Sequence, residues 1–309
     1  MFLRGVSLLL LSLSLGQAEE SVASALKALI APLFIVIAVL GSIYAGVASI
    51  TEAAYHADVE AGVFCTRQVV DAASVPFGVD ELRARFAPVA AELGGEHRIS
   101  DTGVRKRAVL LVTRDQHCLH DILGRVWAGE LPVEITRVIG NHTSLEPVVA
   151  AHGVPFHHVP FPAPGDPTRE QGKVTAFEEI RKLVDDDSPD AIVLARFMQV
   201  LPAHLCEAWA GRAINIHHSF LPSFAGARPY HQAHRRGVKL IGATCHYATA
   251  DLDAGPIIEQ DVARVDHGDT ATDMVRRGRD IERLVLARGL RWHLEDRVLI
   301  QGNRTVVFR

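Results

Sequence analysis

The chain has only four cysteines in 309 residues, Cys65, Cys118, Cys206 and Cys245, and no two of them form a CxxC pair. Such spacing offers neither a zinc-ligand cluster nor a disulfide framework, and it fits reduced thiols in a catalytic domain. Positive charge is not in excess: the formal net charge is −4, which supplies no basic face for nucleic acid. GxGxxG is missing, so a nicotinamide cofactor is not expected. Sixteen histidines, with His157-His158 and His231/His234 close in sequence, invite a metal. Without HExxH or a Cys/His cluster, the expectation is no metal site.

What is present concentrates between 213 and 260. Residues 213–217 read as a short buried strand, with Ile214 and Ile216 on one face and Asn215 and His217 together on the other. Leu221-Pro222 and Gly226 then open a loop. A second strand over 241–247 sets Thr244 and His246 on one face and runs into Asp251-Leu-Asp253-Ala-Gly255-Pro256, a turn that carries a carboxylate. An amide, an imidazole and a carboxylate at neighbouring strand ends suit acyl transfer or hydrolysis. Amide and imidazole stabilise the oxygen of a tetrahedral intermediate, and the carboxylate activates the nucleophile. The bland alternative is a strand-end Asn satisfying loop backbone beside a packed His. Asp251 is the rival carboxylate and reads as a solvated turn residue. His246 reads equally as an orienting or a structural residue. His218, pointing away from His217 if the strand continues, reads as packing.

At these positions the chain resembles the folate-dependent formyl transferase and hydrolase superfamily. Its members carry Asn-Ile-His near a strand end and Leu-Asp-x-Gly-Pro after a Gly-x-Thr-x-His strand, as 215–217, 252–256 and 242–246 do here. The doublet His217-His218 within HHSFLPSF, and PYHQA at 229–233, are similar to its hydrolase members. The resemblance spans 105–309. It implies that 10-formyltetrahydrofolate is hydrolysed to tetrahydrofolate and formate, with the formate supplied to purine synthesis and one-carbon pools balanced. In that reading Asp253 is the general base, and His217 and Asn215 hold the oxyanion. The loop with Met198, Gln199, Val200 and Leu201, together with His246, receives the folate. No cofactor beyond the folate substrate is implied. The superfamily's ribonucleotide transferases hold their acceptor's phosphate in a glycine-rich loop after the first strand. Here that loop is Arg114-Asp-Gln-His-Cys118, without glycine, so water is the expected acceptor.

The rest of 105–309 alternates strand and helix: strands over 108–113, 133–139 and 191–195, helices over 119–127, 146–152, 177–184 and 272–295, and a closing hairpin over 298–308. That order predicts an α/β fold with a mostly parallel, Rossmann-like sheet and helices on both faces. Ligands in such sheets bind beyond the carboxyl ends of the strands.

The beginning of the chain follows a different pattern. Arg4, the apolar run 6–15 and Gly16-Gln-Ala18 are laid out like a signal peptide. Residues 28–51 carry no charge and suffice for a helix that crosses a bilayer, for which about 20 residues are enough. The string 29–54 resembles a segment of the large permease subunit of TRAP-type transporters. Residues 55–104 look like the second half of an ACT domain, with a strand over 62–70 and a helix over 79–93, its first strand and helix replaced by the apolar segment. The expected division is 1–54, 55–104 and 105–309. A cytoplasmic catalytic domain follows, with membrane association through 28–51 and a homo-oligomer both compatible with it. The alternatives are a folate-dependent formyltransferase and a membrane-anchored, inactive fusion fragment.

Overall fold

The computed structural model describes residues 5–14, 50–58, 63–92, 95–223 and 229–309. They fall into two compact units, one of 1–104 with 295–301 and 306–309, the other of 105–294 with 302–305.

In the first unit, β1 (Gly5–Ser14), β2 (Ile50–Asp58), β3 (Val63–Asp71) and β4 (Glu96–Asp101) form one sheet in the order β2-β3-β1-β4. Strand β1 pairs antiparallel with both β3 and β4. This overturns the expectation that the first strand is missing and the sheet only half present. The apolar run read as a signal peptide is an interior strand. Pairing along both edges satisfies its backbone, and an uncharged stretch suits that position as well as it suits export. Helix α1 (Val79–Glu92) lies against β4. Of the segment expected to cross a membrane, 28–49 lie outside the described residues, and Ile50 and Thr51 open β2. Among the described residues no helix is long and apolar enough to cross a membrane.

The C-terminal residues complete this unit. Cys65 of β3 packs in one apolar cluster with Leu299 and Phe308. Beside it, the buried Arg67 donates to the carbonyls of Asp296 and Glu295, each at 3.1 Å, and to Glu52 at 2.8 Å.

In the second unit the chain alternates β5 (Lys106–Val112), α2 (His117–Trp127), β6 (Val133–Gly140), α3 (Glu146–Ala151), β7 (Phe156–His158), α4 (Arg169–Asp187), β8 (Ala191–Leu194), α5 (Ala203–Ala208) and β9 (Ala213–His217). Then come α6 (Pro229–Arg236), β10 (Leu240–Tyr247), β11 (Ile257–Arg264) and α7 (Ala271–Leu294). The closing hairpin, β12 (Val298–Gln301) and β13 (Arg304–Val307), falls mostly in the first unit. The main sheet runs β11-β10-β9-β8-β5-β6-β7. It is parallel from β9 through β7, and antiparallel where β10 meets β9 and β11. This is the mostly parallel α/β architecture expected. Ala108 to Val112 are fully buried on both faces of β5, with Val109 and Leu111 packed in the core that holds Phe177, Ile180 and Val184 of α4. Helix α7 lies on β8 to β11 and on α2, burying Met274, Ile281, Val285, Leu286 and Leu290 at helical spacing.

The order of the sheet reverses at β5: β6 lies on one side, and β8, reached after α4, on the other. The loops after β5 and β8 therefore part at a crevice, the usual ligand position in such a sheet.

Replacing Arg67 by Met should cost the protein about 1–3 kcal/mol, because two carbonyls lose a buried donor. The urea unfolding midpoint measures this loss, and an unchanged midpoint would show that the bonds contribute nothing net.

Candidate active site

The site is set by the register of β9 against β10. Asn215 sits opposite His246 and His217 opposite Thr244, so the three polar side chains and the threonine hydroxyl share one sheet face. Asn215 Nδ2 lies 3.1 Å from His246 Nε2, and His246 Nδ1 lies 2.9 Å from the carbonyl of Tyr247. A carbonyl only accepts, so Nδ1 carries the proton and Nε2 accepts from the Asn215 amide. Burial also lowers the His246 pKa, which favours this neutral form. Both ring nitrogens are thus engaged, one by the Asn215 amide and one by the Tyr247 carbonyl. Thr244 pins the loop after β9: its hydroxyl donates to Ser219 O at 2.8 Å and accepts from Leu221 N at 3.1 Å.

Asp253 reaches the same point from the turn after β10, with its Oδ1 3.1 Å from His217 Nδ1. Its backbone is left-handed, φ 57°, which Asp tolerates better than most residues. The turn folds back so tightly that a Cβ on Gly255 would lie 1.9 Å from the Tyr247 carbonyl oxygen. Glycine is required there for close approach. Burial pushes the Asp253 carboxyl up, but the hydrogen bond and charge of His217, with His246 and His218, outweigh it and hold the group below its ordinary value. The other ring nitrogen of His217, Nε2, is buried and has no hydrogen-bond partner among the described residues. Asp251 is exposed in the same turn.

These groups line one cleft with Arg196, Met198, Gln199, Val200, Leu201 and Leu252. Met198, Val200 and Leu252 are exposed there, large apolar surfaces left open to a ligand. The loop is fastened at its start, where Met198 N donates to Thr113 Oγ1 at 2.9 Å. Arg196, also left-handed at φ 63°, sends its side chain into an ion cluster that the sequence did not disclose. It binds Asp115 at 3.0 Å and lies 3.4 Å from Glu282. Glu282, 1% exposed, also accepts from Tyr230 at 2.8 Å and meets His117 at 2.9 Å. Burial opposes its charge, but His117, Arg196 and Tyr230 bring the carboxyl below its ordinary value. The one signal in the sequence was an acidic residue inside the apolar stripe of α7. His117, Cys118 and Glu282 also bring potential metal ligands together, although the Glu282 oxygens are already taken by these partners.

His218 does not point away from His217 as continued alternation would have it. Strand β9 ends at His217, so alternation lapses, and His218 lines the same cleft with its ring 5.2 Å from that of His217. Burial, then the charge of Arg196, lowers its pKa to about 4.

The formyl transferase family model matches residues 106–290. A formyltetrahydrofolate deformylase of Corynebacterium sp. (strain P-1) is 42% identical over 275 residues, covering 89% of this chain and 94% of that protein. The chain belongs to this family. The Bacillus subtilis deformylase is 43% identical, with 82% of each chain covered. The crystal structure of the Pseudomonas syringae deformylase superposes with a TM-score of 0.88 at 46% identity, over 100% of this chain and 95% of that one. The family likeness is narrower for glycinamide ribonucleotide transformylase 1 of Symbiobacterium toebii: 28% identity and a TM-score of 0.61 over 68% of this chain and 97% of that one. None of these relatives lends support to the transporter resemblance of 29–54.

Two outcomes follow from the geometry. Gly255→Ala should destabilise the protein by about 1–3 kcal/mol through overpacking, seen as a lower urea midpoint. It should also depress activity, because Asp253 sits two residues away. Separately, between about pH 6.5 and 4 the unfolded chain takes up a proton on His218 that the folded chain refuses. Stability should therefore fall as pH drops through that window and be flat in this respect above it. His218→Gln should make the fall shallower, and an identical pH slope in both proteins would refute the assignment.

Proposed function

We propose that this chain hydrolyses 10-formyltetrahydrofolate to tetrahydrofolate and formate. The observation that carries the reading is the buried, unpartnered Nε2 of His217, whose Nδ1 is engaged by Asp253, beside Asn215 in a cleft with open apolar walls. The near full-length similarity to formyltetrahydrofolate deformylases supports the choice of substrate.

The pterin end lies against the loop 196–201, where main-chain groups meet its ring edge and Met198, Val200 and Leu201 give it apolar walls. The formyl carbon then faces His217. Water attacks that carbon, giving one proton to Asp253, whose Oδ1 remains bonded to His217 while Oδ2 takes the proton. As the carbonyl oxygen gains charge, His217, with a proton on each ring nitrogen, donates to it through Nε2–H, as does the second N–H of Asn215. The His246 bond keeps the Asn215 amide turned the right way. The C–N10 bond breaks as Asp253 returns the proton to N10, and formate and tetrahydrofolate leave. No further cofactor enters this scheme. The free carrier rejoins the one-carbon pool, and purine synthesis is the expected user of the formate.

The test is formate release from purified full-length protein given 10-formyltetrahydrofolate alone. Wild type should release formate, and glycinamide ribonucleotide should not divert the formyl group. Turnover that requires the ribonucleotide would make the chain a transferase, and no turnover in either assay would favour an inactive fragment. Asp253→Asn should lower kcat by roughly 10²–10⁴ while folate still binds, since Asn also accepts a left-handed backbone. Asp251→Asn should leave the rate unchanged. The opposite pattern would mean that the wrong carboxylate has been assigned.

A further inference from the structure

The attacking water has two hydrogens, and Asp253 takes only one of them. The other needs an acceptor to keep an oxygen lone pair aimed at the formyl carbon. The imidazoles of the cleft can be accounted for one by one. His246 is committed at both nitrogens, to Asn215 and to the Tyr247 carbonyl. His217 holds Asp253 with Nδ1, and its Nε2 is the donor needed by the oxyanion. His218 remains.

His218 is well placed for the task. Its ring lies between that of His217, at 5.2 Å and tilted by 42°, and that of Tyr230, at 6.2 Å. It forms wall both to the candidate folate cleft and to the apolar cavity beyond, lined by Phe220, Tyr230 and Ile241. Its backing is rigid. The Tyr230 hydroxyl is tied to Glu282, and a Cβ on Gly278 of α7 would lie 2.1 Å from the Tyr230 ring, so that ring has no room to withdraw. The His218 ring thus stands at the edge of the cleft with the His217 ring on one side and a fixed Tyr230 ring on another.

We propose that His218 is the second acceptor for the hydrolytic water, fixing it beside Asp253 for attack on the formyl carbon. The hydrogen held by His218 is not transferred: it stays on the attacking oxygen and departs with formic acid, which then ionises. The charged and titratable groups facing the ring are Arg196 after β8, His217 on β9, Tyr230 on α6, Asp253 in the turn after β10 and Glu282 on α7. With Arg196 and burial against protonation, the ring is neutral at physiological pH and keeps one lone pair free. A charged imidazole would have two donors and no acceptor, and it could not do this.

The inference rests on the hydrolytic reading above, and two variants of similar volume test it. His218→Leu keeps the wall and removes the acceptor; His218→Gln keeps an acceptor oxygen. Formate release by His218→Leu should show kcat lowered by about 10–100-fold, as for loss of one strong hydrogen bond in the transition state, with KM for 10-formyltetrahydrofolate within about threefold of wild type. His218→Gln should recover most of the rate. If His218→Leu does not fold, as judged by its thermal transition, His218→Ala takes its place with the same expectation. A residue that only shapes the folate wall would raise KM and spare kcat, which overturns the proposal. So does a Gln variant as slow as Leu, or a Leu variant as fast as wild type. Wild-type protein that releases no formate would instead overturn the hydrolytic reading itself.

Discussion

The pairing of β9 with β10 is the constraint on which the site depends. Side chains alternate along a strand, so slipping this pair by one residue would send the polar set into the core and the isoleucines into the cleft. In the observed register Asn215 meets His246, and His217 lies beside the threonine that ties down the following loop. The two strands are antiparallel, and they mark the place where the parallel part of the sheet gives way to the antiparallel β10 and β11. The carboxyl end of β10 therefore points away from that of β9, and the turn bearing Asp253 must fold back along the sheet to reach His217. The crowded glycine and the left-handed aspartate are the backbone's means of making that return.

A second group of interactions holds the other wall. Arg196 joins the loop after β8 to Asp115 after β5 and to Glu282 of α7, spanning the place where the sheet order reverses. Two of the four non-glycine residues with positive φ among those described, Arg196 and Asp253, line this single cleft. Local strain of this kind costs on the order of 1–3 kcal/mol each and persists only where surrounding contacts over-determine it. At Arg196 those contacts are the two carboxylates, and at Asp253 they are the histidines and the tight turn. In the buried cluster around Glu282 the loss of one partner would strand a charge.

Strand alternation and turn chemistry made Asn215, His217 and Asp253 legible as neighbours, since both rules act within a few residues. Most of the alternation of strands and helices over 105–309 was legible for the same reason, but not β7, α5, α6 or β11. The start of the chain was not. An apolar, uncharged run is common to export signals and interior strands, and only the pairing of β1 with β3 and β4 separates them. The direction of His218 was not legible because alternation holds only as far as the strand does, and β9 ends at His217. Glu282 was missed because its partners come from positions 117, 196 and 230, distances over which a local pattern carries no information. Between 15 and 49 the chain lies outside the described residues.

The discontinuity of the first unit bears on how the protein is made. Arg67 and Asp296 are bonded across 229 positions, and the apolar cluster on Cys65 includes Leu299 and Phe308. At typical elongation rates of about 5–20 residues per second, on the order of ten seconds or more separate the emergence of one side of that core from the other. The unit that is synthesised first is thus completed last. Throughout that interval β3 presents a cysteine and a buried-type arginine without these C-terminal partners.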